Sequence, residues 1–131
     1  MIFADTSFFV ALSFPRDTHH GSATKLLSTW GGAEIVTTGH VRGETWTTLR
    51  RKLDQGQAVM FLDRLATSRI NVARVEAGLE DQSLDWLRRH DEREYSFVDA
   101  TSFAFMRANG ISEALAFDGD FAAAGFVELR P

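Results

Sequence analysis

Cysteine is absent from the 131 residues, which excludes a disulfide framework and any Cys-ligated zinc or iron–sulfur centre. No basic amino-terminal region leads into an apolar run, and no stretch of about 18 apolar residues occurs anywhere. A soluble, unexported, cytoplasmic protein with no membrane partner is expected. The motifs G-x-S-x-G and G-x-x-x-x-G-K-[ST] are also missing, so α/β-hydrolase and P-loop chemistry have no handle. No repeat, low-complexity tract or linker divides the chain, and its length suits one domain over residues 1–131. Basic charge is in short supply: 14 Lys and Arg against 18 Asp and Glu give a net charge of −4. Taken alone, that balance disfavours a nucleic-acid partner.

What is present is a core-forming composition, 44% hydrophobic with eleven Phe and three Trp, which argues against disorder. Strands are expected at Met1 to Asp5, Glu34 to Thr37, Ile70 to Ala73, Ala114 to Phe117 and Phe126 to Leu129. Between them, three- and four-residue apolar spacing predicts helices over 18–30, 39–53, 57–67, 77–90 and 96–109. A shorter apolar segment, Phe8 to Phe14, follows Thr6-Ser7, which can cap it. Leu26, Leu27 and Trp30, then Val59, Phe61, Leu62 and Leu65, then Leu79, Leu84 and Leu87 are expected to face inward. The Trp side chains are expected in the core, and the four His on the surface or at caps. Strands separated by helices imply an α/β architecture: a central parallel sheet of about five strands, right-handed crossovers and helices on both faces.

Asp5 and Asp118 each follow an apolar strand, so both carboxylates are expected at the crevice beyond the strand ends, where open α/β sheets bind ligands. Asp99 fits a capping box begun by Ser96, and a residue in that first turn can cap with one oxygen and ligate with the other. Ser102 lies three residues further on and can share its face. Glu44 borders the apolar stripe of its helix with no Lys or Arg placed nearby to pair with it. Asp118-Gly119-Asp120 reads as a turn by itself, but it can bring Asp120 to the same crevice. Clustered carboxylates repel one another unless protonated or bridged by a cation, and Mg²⁺ or Mn²⁺ prefers such oxygen ligands. Asp5, Glu44, Asp99 and Asp118 also equal the whole acidic excess, so a cation-loaded site removes much of the objection to an RNA partner. A non-catalytic binding module and another acidic-site phosphohydrolase are the alternative readings.

Asp5-Thr6-Ser7, Glu44, the run Ser96-Phe97-Val98-Asp99-Ala100-Thr101-Ser102-Phe103, and Phe117-Asp118-Gly119-Asp120-Phe121 with Gly125-Phe126 together resemble the PIN-domain ribonucleases. The resemblance is strongest to VapC-type toxins of bacterial toxin–antitoxin pairs. It implies an α/β/α sandwich, Mg²⁺- or Mn²⁺-dependent endoribonuclease activity, a homodimer and a cognate VapB-type antitoxin. Asp5, Glu44, Asp99 and Asp118 match the acidic site, with Ser7, Ser102 and Asp120 as supporting positions. The stretch His90 to Tyr95 resembles the branch that cuts the sarcin–ricin loop of ribosomal RNA, favoured here over branches that cut tRNA.

Overall fold

The sheet is built outward from β1 (Ile2–Ala4), three apolar residues that are all buried. The computed structural model describes residues 1–131 and places β2 (Ile35–Thr38), β3 (Asn71–Ala73), β4 (Glu113–Leu115) and β5 (Val127–Glu128) around it. Their order is β3-β2-β1-β4-β5, and every pairing is parallel. Phe3 fixes the register on both sides, opposite Val36 in β2 and Ala114 in β4. Parallel strands need crossovers, and seven helices accompany them: α1 (Thr6–Ser13), α2 (His20–Trp30), α3 (Gly39–Lys52), α4 (Gln55–Thr67), α5 (Ala77–Arg89), α6 (Phe97–Ala108) and α7 (Asp120–Ala123). Because β2 lies on one side of β1 and β4 on the other, the strand order reverses at β1. Right-handed crossovers then put helices on both faces, and a crevice opens between the carboxyl ends of β1 and β4.

Large aromatic side chains knit the sheet to α6 and α7. Phe3, Phe8, Phe103 and Phe121 are fully buried. The Phe103 ring meets Phe121 edge-on at 5.0 Å, and Phe121 lies 5.9 Å from Phe3. The chain of rings anchors β1, whose end Asp5 follows, together with α6 and α7, which carry Asp99 and Asp120.

Several inward-facing expectations are corrected. Leu84 is 45% exposed, and Leu27 and Val59 are also exposed. On α5 the buried residue is Ser83, whose hydroxyl donates to the carbonyls of Leu79 and Ala100, and Trp86 packs against the core one turn on. Leu84 follows Ser83 directly, and adjacent helical residues do not share a face. The Trp residues sit at the edge of the core, half-buried.

Two substitutions separate these environments. Phe103→Ala should lower unfolding stability by about 3–5 kcal/mol, whereas Leu84→Ala should change it by less than about 0.5 kcal/mol. Urea denaturation followed by circular dichroism checks both; equal losses would contradict this packing.

Candidate active site

Asp5 lies one residue past β1, where its amide still donates to the Leu115 carbonyl at 3.0 Å. Its carboxylate caps α1, accepting from the Ser7 amide at 3.2 Å and the Ser7 hydroxyl at 2.8 Å. The cap is therefore Asp5 itself, and Thr6-Ser7 form the first helical turn. The Ser7 hydroxyl in turn accepts from the Phe117 amide at 3.0 Å, so it joins Asp5 to the segment that follows β4. Asp5 is 2% exposed. Burial, and then the nearby charge of Asp118, push its pKa up to about 8 despite the Ser7 hydrogen bonds.

Asp99 forms the expected capping box: its amide donates to the Ser96 hydroxyl at 2.9 Å, and its Oδ2 accepts from the Ser96 amide at 3.0 Å. One oxygen is thus used for capping, leaving the other for a ligand. The residue is 7% exposed, and burial, reinforced by Asp120 and Asp118, raises its pKa to about 6.

Asp118 does not follow its strand directly, because β4 ends at Leu115. Beyond it, ladder bonds give way to side-chain bonds: Ser7 takes the Phe117 amide, and Arg130 donates to the Ala116 carbonyl at 2.8 Å. Asp118 is at the surface, and its Oδ1 accepts from the Asp120 amide at 3.1 Å. Partial burial, together with Asp120 and Glu128, raises its pKa. Gly119 turns the chain between the two acids at φ +83°, in the left-handed region that favours glycine. One carboxylate oxygen each from Asp99, Asp118 and Asp120 lie within 4.8 Å of one another. Asp120, expected as a supporting position, is thus brought beside Asp99 and Asp118.

Glu44 lies outside this 4.8 Å grouping. It is half-buried on α3 and lines a cavity of about 280 Å³ together with Asp5, Thr6, Ser7 and Asp118. It makes no ion pair, and Thr48 and Lys52 continue the α3 wall. Ser102 is fully buried and donates to the Val98 carbonyl at 2.8 Å, so its hydroxyl serves α6 rather than the cavity. That position is corrected: sharing a helical face with Asp99 places Ser102 in the core.

Three features had no clear local signal. Arg93 donates its Nε to Asp120 at 2.8 Å and a terminal nitrogen to the Asp118 carbonyl at 3.2 Å. The Glu128 side chain accepts from the amides of Gly119 and Ala122, at 3.3 and 3.1 Å, which fixes the acidic turn from β5. Arg93 sits within an acidic stretch and Glu128 on a strand, so only the fold reveals their partners. His19 is exposed, as expected, but it also lines the cavity and stacks on Phe117.

The donor set fits a hard divalent cation. It consists of oxygens, the buried carboxyls resist ionisation without a counter-charge, and the buried Thr6 hydroxyl beside them has no hydrogen-bond partner. This architecture and acidic crevice are those of a PIN domain: the PIN domain family matches residues 2–127, and the chain belongs to that family. It is 53% identical over 133 residues to the 23S rRNA-specific endonuclease VapC20 of Mycobacterium tuberculosis, across 100% of this chain and 99% of that protein. The crystal structure of M. tuberculosis VapC20, described as a sarcin–ricin loop cleaving toxin, superposes with a TM-score of 0.95 at 51% identity, covering 100% of both chains. FitAcB from Neisseria gonorrhoeae shares the fold at a TM-score of 0.68 and 15% identity, over 98% of this chain and 96% of that one.

The raised pKa values carry a sign for stability. A carboxyl whose value is higher in the folded chain keeps its proton there while the unfolded chain releases it, so this contribution falls as pH rises. For Asp5 the window runs from 3.8 to about 8. Asp5→Asn keeps a capping acceptor and removes the ionisation. It should therefore gain stability on the wild type as pH rises from 4 to 8 in chelator-treated protein, with a flatter pH slope. Unfolding from pH 4 to pH 8 checks this; identical pH slopes for the two proteins would refute it.

Proposed function

We propose that this chain is a divalent-metal-dependent endoribonuclease of the VapC toxin type, and that its RNA is the sarcin–ricin loop of 23S ribosomal RNA. The observation that carries the reading is the convergence of Asp99, Asp118 and Asp120 within 4.8 Å, beside the buried Asp5, at the point where strand order reverses. The full-length similarity to VapC20 supports the choice of RNA.

In this reading Asp5, Asp99 and Asp118 hold Mg²⁺ or Mn²⁺, and Asp120 adjoins them. Such an ion lowers the pKa of water and stabilises charge on phosphodiester oxygens. Glu44, which has no ion-pair partner, accepts a hydrogen bond from the attacking water and orients it. The Asp5 carboxylate is already held by Ser7 and the Asp99 carboxylate by the Ser96 amide, so little side-chain freedom is lost when the site fills. Lys52 neutralises a flanking phosphate and reads no base. Arg93 offsets part of the charge of Asp120 and keeps the turn in place. Water as nucleophile leaves a 5′-phosphate and a 3′-hydroxyl. The reading also gives the chain a protein antitoxin and a second copy of itself as partners.

A synthetic sarcin–ricin hairpin should be cut at one position in Mn²⁺ or Mg²⁺ and left intact in EDTA. Asp5→Asn and Asp99→Asn should each slow cleavage by about two orders of magnitude or more, with circular dichroism showing retained fold. Metal-independent cleavage by the double variant would overturn the proposal.

A further inference from the structure

The imidazole of His19 lies parallel to the Phe117 ring, with centroids 4.7 Å apart and planes inclined by 1°. Phe117 immediately precedes Asp118, and its amide is held by the Ser7 hydroxyl that also holds Asp5. The His19 amide donates to Asp17 Oδ1 at 2.8 Å, which fixes the loop entering α2. Phe117 is thus restrained by the framework that orients Asp5, and His19 by its own loop contact to Asp17. Phe117 has further support from Arg130, whose guanidinium lies 5.3 Å from its centroid. Although one side of its ring is covered, His19 remains exposed, and it lines the cavity that holds Asp5, Glu44 and Asp118.

A pre-oriented aromatic face beside carboxylates has a specific use if the substrate is RNA, and the inference rests on that reading. Carboxylates and any cation they hold act on phosphate alone and recognise no base, so recognition of unpaired bases falls to groups around them. In RNA loops, splayed bases stack on aromatic side chains, His included, and every base offers a π face. The other stacked histidine, His90 on Trp86 at 4.1 Å, does not line this cavity. We infer that the His19–Phe117 stack is the base-binding platform of the cleft: an unpaired nucleobase of the substrate loop lies on the open face of His19. Carboxylates and platform then divide the work, the former acting on the phosphodiester and the latter selecting unstacked over helical RNA.

The test compares His19→Leu, which keeps apolar cover on Phe117 without a π face, with His19→Tyr, which restores one. Steady-state cleavage of the hairpin in Mn²⁺ should show KM raised about tenfold in His19→Leu, the size expected for losing one base–aromatic stack. Its kcat should stay within about twofold, and His19→Tyr should match the wild type. Rapid mixing with hairpins carrying 2-aminopurine at single loop positions should show quenching at one position before cleavage, lost in His19→Leu. A purely structural role for His19 predicts lowered thermal stability without that quench, and would overturn the platform. So would a wild-type KM in His19→Leu, or a KM equally raised in His19→Tyr. If the wild type leaves the hairpin uncut with either ion, the cleavage reading falls and takes the platform with it; cleavage with an unaltered His19→Leu removes the platform alone.

Discussion

The hydroxyl of Ser7 donates to the Asp5 carboxylate and accepts from the amide of Phe117, 110 positions away in the chain. That one oxygen spans the place where the strand order reverses, tying the end of β1 to the segment that leaves β4. Around it the rest of the site is assembled: Asp5 caps α1, Asp118 follows the anchored Phe117, and the Phe117 ring supports His19. It carries the connection past the last backbone bond between the two, from the Asp5 amide to the Leu115 carbonyl where β4 ends.

The same constraint creates an electrostatic problem. Asp5 and Asp99 are held by hydrogen bonds that favour the ionised form, yet burial and neighbouring acids raise both pKa values. Cores tolerate carboxylates placed this way where they are protonated, paired or bound to cations. The Arg93 contact to Asp120 is partly exposed, and such pairs contribute little to stability. It holds the turn but leaves Asp5 uncompensated. Under the proposed function this loss of stability would be offset by a divalent cation, whose ligands are held together in advance.

Much of this was legible in the sequence, for physical reasons. Alternating short apolar runs and amphipathic segments identify a parallel α/β sheet because strands buried on both faces leave few other patterns. Asp5 and Asp99 could be placed because strand ends and capping boxes have local signatures. Ser102 misled because a helical face shared with Asp99 turns toward the core one turn further on. Glu44 was found as an acid at a stripe border, but its place relative to Asp99, Asp118 and Asp120 depends on how α3 packs. Arg93, Glu128 and the His19 stack were out of reach: each acts on a residue distant in sequence, and no periodicity encodes such contacts.

Because burial raises the pKa of Asp5 to about 8 and that of Asp99 to about 6, a divalent cation entering the site at pH 6.5 would displace protons, chiefly from Asp5. Calorimetric titration of Mn²⁺ into the chelator-treated protein at pH 6.5, repeated in buffers of different ionisation enthalpy, counts those protons directly. Saturable binding is expected, with release of about one proton or more per ion and less in Asp5→Asn. Binding without proton release, or no binding at all, would contradict the claim.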